Sequence, residues 1–229
     1  MHVLLIILFL LLLVFGPQWW ARYTFRRYAG VLPRIPGTGG ELARHLLDHF
    51  EMPDVSVEKT EKGGDHYDPE RRAVCLSPDN YDHNSLTAVA VAAHEVGHAI
   101  QHQRNEPKLA LRQRLVKLAV TTQQLGAGAM FLMPVALAIT RAPSAGLIMA
   151  AIGLVSMASA TLVHLVTLPV ELDASFGKAL PVLKAGHYIQ PEDEIAVRRV
   201  LRAAAFTYVA SSLASLLNLA RWLAFLRRA

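Results

Sequence analysis

The chain has 229 residues, 53% of them hydrophobic, and a formal net charge of +5 at pH 7. Its single cysteine, Cys75, excludes an internal disulfide. The positive charge lies mostly in arginines beside apolar blocks, and basic stretches interleaved with aromatic residues are missing, which argues against nucleic-acid binding. We therefore expect a mainly α-helical membrane protein.

The first apolar block predicts an N-terminal transmembrane anchor over residues 1–20. The run from Val3 to Trp20 is long enough to span a bilayer. No charged region precedes it and no small-residue cleavage site follows it, which argues against a cleaved signal peptide. Tryptophans and then arginines follow, as is usual where a span ends: Trp19, Trp20, Arg22, Arg26 and Arg27.

The next segment, residues 35–110, is polar and mixed, and it predicts a small α+β domain at the membrane surface. Thr38 and Glu41 have the spacing of a capping box, so a helix should begin there. Residues 55–58 and 73–76 resemble strands, and we expect them to pair as a β-hairpin around a loop. An edge strand of such a domain can hold an extended peptide by backbone pairing.

The most informative feature is the motif His94-Glu95-Val96-Gly97-His98. An alanine-rich apolar stretch precedes it, which Asn84 or Ser85 can cap, so the motif should lie on a helix. The two histidines then share one helix face and can bind the same metal ion, while Glu95 can activate a bound water. Gly97 leaves room for another segment to approach closely. This combination is typical of zinc-dependent hydrolysis of peptide bonds.

Residues 118–168 predict a hairpin of two transmembrane helices, over about Leu118–Thr140 and Ala145–Leu168. A fourth apolar block, residues 203–220, is more polar and predicts a weaker fourth span. The lysines and arginines beside these blocks predict a multi-pass protein of the cell membrane, with the motif on the cytoplasmic face. Three arginines near the C-terminus do not fit that orientation: Arg221, Arg227 and Arg228.

Catalytic zinc needs a third protein ligand and one open position. The remaining candidates are His66, His83, His102, His164, His187, Glu171 and Asp173. His102 lies one turn further along the motif helix, too far to share the ion. We prefer Glu171, which opens a predicted helix within residues 169–202, because the two crossings of the hairpin return the chain to the side that holds His94.

Three stretches of the sequence carry a resemblance to a known family: residues 65–81, residues 92–101 and residues 168–175. Together they resemble the YugP-type family of membrane zinc metallopeptidases, over nearly the whole chain. They are more distantly similar to the HtpX/Ste24 gluzincin membrane proteases. The resemblance implies one Zn²⁺ ion bound by His94, His98 and Glu171, and it implies that Glu95 is the general base.

One position departs from the more distant relatives. Ser175 stands four residues after Glu171, where those relatives have an aspartate that supports the site. We therefore expect that supporting role to be unfilled there. We also expect Asp173 to lie on another face of the helix.

The sequence thus predicts a mainly α membrane fold, with about four transmembrane helices and a small α+β zinc-metallopeptidase domain that contains a β-hairpin. Its expected function is that of a membrane-embedded zinc endopeptidase that acts on peptides or membrane-protein segments, with the lipid bilayer as a partner. The donor that stabilises the oxyanion stays open among His164, His66 and Tyr67. The oligomeric state is left open.

Three other functions are weighed against this one. An inactive zinc-binding membrane scaffold is the main alternative, although a purely structural site does not need Glu95. An intramembrane protease of the site-2 type fits less well, because polar residues flank the motif helix on both sides. A transporter fits poorly, because internal repeats are missing.

Overall fold

The computed structural model describes residues 2–61, 64–140 and 143–206, and most of this part of the chain is helical. Three short strands lie between the second and third helices. In chain order the elements are α1 (His2–Arg27), α2 (Gly39–His49), β1 (Ser56–Lys59), β2 (His66–Asp68), β3 (Ala73–Leu76), α3 (Pro78–Asp82), α4 (Leu86–Gln103), α5 (Pro107–Thr140), α6 (Pro143–Leu172), a π-helical turn (Asp173–Ala179), α7 (Leu180–Ala185), a 3₁₀ turn (Pro191–Asp193) and α8, whose described part covers residues 194–206.

The predicted fold with about four transmembrane helices is wrong for the part of the chain that the structure describes, because no helix there is both long and apolar enough to cross a membrane. This finding overturns the expected spans in α1, α5 and α6. The prediction counted apolar residues and gave too little weight to polar ones, which recur along α5 as Thr121, Thr122, Gln123 and Gln124. The fourth predicted span covers residues 203–220, and the part of it after position 206 lies outside the described residues.

The domain contains a β-hairpin, formed by β2 and β3, but the predicted pairing of residues 55–58 with residues 73–76 as a hairpin is wrong, although both of these strands exist. β1 and β3 are neighbours in the sheet but run parallel, with Ser56 opposite Ala73. The segment between them, expected to be a loop, forms β2, which pairs antiparallel with β3 and sets His66 opposite Cys75. Because β2 reverses the chain once more, β1 and β3 end up parallel in a mixed sheet of order β1-β3-β2.

Helix α4 is the centre of the hydrophobic core. Of the two caps that the sequence allows, Asn84 and Ser85, it is Ser85 that caps the start of α4, by accepting a hydrogen bond from the backbone N–H of Ala88 at 3.1 Å. Every residue from Leu86 to Gln101 is buried, so α4 has no solvent-exposed face over that length. Helix α2 packs against it, and α2 begins at the predicted capping box formed by Thr38 and Glu41. The motif therefore lies in the interior of the folded unit.

Helices α5 and α6 pack along each other and bring the end of α6 back towards α4. The hydroxyls of Thr122 and Ser159 lie 2.9 Å apart across this pair. Because Thr122 precedes the connection by about as many residues as Ser159 follows it, the two helices run antiparallel. This arrangement places Glu171, near the end of α6, beside the histidines of α4.

Candidate metal centre

The two histidines of the motif lie on one face of α4. His94 and His98 are one turn apart and both buried, and their ring centroids are 4.8 Å apart. Their Nε2 atoms point to the same place, since each lies close to one carboxylate oxygen of Glu171. The sequence-based expectation that the histidines share a face therefore agrees with the structure.

Glu171 completes a group of three ligand-type side chains. Its Oε2 lies 3.1 Å from His94 Nε2 and 3.3 Å from His98 Nε2, and its side chain is fully buried. One ligand atom from each of these residues lies within 4.8 Å of the other two. Among the described residues, this is the group of histidines, cysteines and acids that could hold a metal ion.

Glu171 is ionised in spite of its burial. Burial opposes the charge, but hydrogen bonds from His94 and His98 outweigh that cost and hold the pKa of Glu171 well below its usual range. The guanidinium of Arg112, on α5, lies 3.4 Å from the other carboxylate oxygen, Oε1. That Oε1 atom is buried and has no hydrogen-bond partner within the part of the chain that the structure describes. A buried carboxylate with spare acceptor capacity is suited to a cation.

Gln101 fixes the protonation of His98. The amide nitrogen of Gln101 donates to the carbonyl oxygen of Val170 at 3.0 Å and to a carboxylate oxygen of Asp173 at 2.8 Å. Both partners are acceptors, so the amide oxygen must face His98, and it accepts from His98 Nδ1 at 2.9 Å. Nδ1 therefore carries a proton, which leaves Nε2 of His98 as the atom that can bind a metal when the ring is neutral. This is the tautomer that a metal requires.

Replacing Gln101 with leucine is expected to weaken zinc binding by roughly 10–100-fold, the usual cost of losing a group that orients a metal-bound histidine. Leucine keeps the volume but leaves His98 Nδ1 without its acceptor. The measurement is the zinc Kd, obtained by competition with a chromophoric chelator. Gln103→Leu, at an exposed position two residues further along, is the matched control. An unchanged Kd in Gln101→Leu would show that His98 does not depend on this hydrogen bond.

The π-helical turn after α6 supplies a contact to His94, the other histidine of the motif. The hydroxyl of Ser175 lies 3.1 Å from Nδ1 of His94, so the position expected to be unfilled does contact the site. Asp173, expected to face away, contacts Gln101 and the ammonium of Lys178, the latter at 2.7 Å. A π-helical turn changes which residues share a face, which explains why α-helical spacing misplaced Asp173.

Gly97 permits the close approach of this turn to α4. A Cβ atom at position 97 would lie 2.8 Å from the carbonyl oxygen of Ala174, which is too near for an unshifted backbone. The sequence predicts that another segment approaches Gly97 closely. In the structure, this segment is the backbone that follows Glu171. A side chain at position 97 would push Glu171 and Ser175 away from the histidines.

Glu95 lies beside the proposed ligands and lines a cavity of about 380 Å³ together with His94. Apolar side chains line this cavity, among them Phe25, Val91 and Leu201, and Asp65 lines it as well. Burial raises the pKa of Glu95 to about 7, while the neighbouring His94 opposes the rise and Glu171 adds to it. A carboxyl group with a pKa near neutrality can both take up and release a proton.

The other candidate residues lie elsewhere. His102 Nδ1 is 2.8 Å from the hydroxyl of Tyr67, and His66 Nδ1 is 2.9 Å from the carbonyl oxygen of Gly64 in its own turn. His83 ends α3. Burial lowers the pKa of His164 on α6, and neither that residue nor His187 belongs to the ligand group found in the described residues.

Two contacts of the site were not predicted. Gln101 has a local signal, since it is a buried polar residue three positions after His98 and therefore near it on the same helix. Arg112 has no such signal. It reaches Glu171 only because α5 starts beside α4 and α6 returns to the same place, which no local pattern encodes.

Comparison with known proteins adds two findings. The model of a protein family described as "Putative neutral zinc metallopeptidase" matches residues 3–227. The chain is also 36% identical over 224 residues to "Putative membrane protease YugP" of Bacillus subtilis (strain 168), an alignment that covers 95% of each chain. No solved structure matches it significantly.

Proposed function

The chain belongs to the neutral zinc metallopeptidase family, and from this premise we propose that it is an endopeptidase that binds one Zn²⁺ ion through His94, His98 and Glu171. The observation that carries the proposal is the convergence of these three ligand atoms within 4.8 Å of one another. Two imidazoles and one carboxylate form the ligand set of a hydrolytic zinc site that keeps one position open.

The donor chemistry fits zinc rather than a harder cation. Two nitrogen ligands and one carboxylate oxygen suit Zn²⁺, whereas Ca²⁺ and Mg²⁺ prefer sites made wholly of oxygen atoms. His98 is held in the required tautomer by Gln101, and Ser175 contacts the ring nitrogen of His94 that faces away from Glu171. Glu171 brings a negative charge that partly neutralises a divalent ion.

The reaction follows from the residues around this position. When bound, zinc supplies a Lewis acid that polarises the scissile carbonyl group and acidifies a water molecule. Glu95 would take a proton from the attacking water molecule as the oxygen atom of that water bonds to the carbonyl carbon. As the C–N bond breaks, Glu95 returns the proton to the departing amine nitrogen, so that it ends the cycle as a carboxylate. Its pKa near 7 allows both transfers at neutral pH.

Metal removal tests the proposed activity. We expect the purified protein to cleave members of a mixed peptide library, to lose this cleavage after dialysis against a strong chelator, and to regain it with one equivalent of Zn²⁺. Mass spectrometry of the peptides provides the measurement, and a mock dialysis without chelator is the control. Cleavage that persists without metal would refute the proposal. Stoichiometric zinc binding without any cleavage would favour an inactive zinc-binding scaffold.

We also propose that the protein works at a lipid membrane on peptides or membrane-protein segments. Its relative is named a membrane protease. The described helices α1, α5 and α6 expose large apolar side chains, among them Trp19, Leu125, Ile148 and Val155. The charge pattern that predicted a cytoplasmic site presupposed four spans, so it does not enter this proposal. Co-sedimentation with lipid vesicles is the measurement, and a protein that stays wholly in the supernatant would contradict membrane association.

A further inference from the structure

A second cavity, of about 330 Å³, also reaches the metal centre and shares no lining residue with the cavity that Glu95 lines. Residues from β2, α4 and α5 line it, among them Tyr67, His98, Arg112 and Gln113. The first cavity reaches the centre at His94, and the second reaches it at His98. Each of the two histidines thus borders a space of its own, as a peptide chain that continues on both sides of the bond to be cut would require.

The guanidinium of Arg112 is the main group in this second cavity whose hydrogen-bonding capacity is not used. Its side chain is 27% exposed, and its ion-pair partner is Glu171 Oε1 at 3.4 Å. Within the described residues it makes no hydrogen bond, although a guanidinium has five N–H donors. Arg112 is thus close to the reacting groups and has donors to offer.

The surroundings of Arg112 indicate what it could bind. The ammonium of Lys117, at another part of the cavity, is paired with Glu70 at 2.9 Å. The amide nitrogen of Gln113 is buried and has no hydrogen-bond partner among the residues that the structure describes. Two neighbouring residues of α5 therefore have donors without acceptors in a space beside a proposed zinc ligand. A peptide that enters this space brings acceptors of its own, the oxygens of its backbone.

We infer that Arg112 is a substrate-binding residue whose guanidinium donates a hydrogen bond to a main-chain carbonyl oxygen of the peptide on the His98 side of the metal centre. The inference rests on the proposed function. A terminal carboxylate has the same acceptor chemistry, so the experiment must separate the two. If Arg112 served only to hold Glu171, its loss would affect zinc binding and not the binding of a peptide.

Hydroxamate binding to the zinc-loaded protein provides the test, with calorimetric Kd values for four probes. Acetohydroxamate contacts the metal alone. N-acetyl-trialanyl hydroxamate extends on the amino side of the bond. A succinyl hydroxamate of dialanine extends on the carboxyl side, and it is prepared in two forms, one with an amidated end and one with a free carboxylate. Each is measured with the wild type, Arg112→Met and Arg112→Lys, and with Arg114→Met, an exposed arginine on the same helix, as the control.

For Arg112→Met we expect the affinity of at least one amidated or acetylated peptide probe to fall by about ten-fold or more relative to acetohydroxamate, the usual effect of losing a hydrogen bond to a charged donor. Arg112→Lys keeps the positive charge beside Glu171 but loses the planar fork, and should show a smaller loss of the same kind. Zinc content should be unchanged in Arg112→Lys and in the Arg114→Met control.

Three results would overturn the inference. Equal losses for acetohydroxamate and the peptide probes, or no loss for any of them, would show that Arg112 does not contact the peptide. A loss confined to the probe with a free carboxylate would assign Arg112 to the end of a peptide chain and not to its main-chain carbonyl groups. A wild-type protein that binds zinc but no hydroxamate would refute the proposed function itself, and this failure is recognised before any variant is compared.

Discussion

Replacing Glu95 with glutamine is expected to reduce peptide cleavage by about 10² to 10⁴-fold or more while zinc stays bound. Glutamine has nearly the same size and shape, so it should occupy the same buried position on α4. Its amide cannot take up a proton at neutral pH, so the residue can neither accept a proton from water nor return one to the amine. The ligands His94, His98 and Glu171 are untouched, and zinc content should stay at about one ion per chain, as one three-ligand site predicts.

Two measurements on the same preparation decide this prediction: peptide cleavage followed by mass spectrometry and zinc content by elemental analysis. Glu192→Gln, which makes the same change at an exposed position, controls for loss of charge. Equal cleavage by Glu95→Gln and the wild type would remove Glu95 from the mechanism. Loss of zinc from Glu95→Gln would instead mean that this residue helps to hold the metal.

Replacing Glu171 with alanine is expected to reduce bound zinc from about one ion per chain to near zero. Only two ligands remain, and the negative charge that would offset the ion is gone. The two buried histidines and Arg112 also lose the carboxylate they share. The loss of affinity should therefore exceed the roughly 10–100-fold expected for Gln101→Leu, which removes a supporting group and not a ligand.

Zinc content after dialysis against a weak chelator measures this effect, with Glu192→Ala as the control for truncation of a glutamate. Circular dichroism shows whether Glu171→Ala still folds. Glu171→Gln provides a second test, because it keeps the volume and one oxygen ligand and should retain zinc more weakly than the wild type. Full zinc content in both folded variants would exclude Glu171 from the ligand set.

Local features of the fold could be predicted from the sequence, because each depends on residues close together in the chain. The capping box at Thr38 and the Ser85 cap of α4 are examples. The pairing of β1 with β3 could not be predicted, because strand composition does not specify a partner or a direction. The membrane spans were wrong because an apolar composition suits a long helix packed against another helix as well as a helix in lipid.

The position of Glu171 could be predicted from topology, even though the premise that residues 118–168 cross a membrane twice was wrong. Two membrane crossings were expected to return the chain to the side of His94. An antiparallel pair of helices has the same effect without a bilayer, and α5 and α6 form such a pair. By contrast, the contact between Ser175 and His94 required a π-helical turn that no spacing rule predicts.

The long α5–α6 hairpin has a further consequence for the order of events during synthesis. His98 and Glu171 are 73 residues apart in the chain, and the whole hairpin lies between them. A nascent chain that has been made only as far as α5 carries the histidines and Glu95 but not the proposed third ligand. The group of three ligand-type side chains is therefore complete only after the end of α6 has been made, since synthesis starts at the N-terminus. The proposed metal centre thus gains its third ligand only when α6 has folded back along α5.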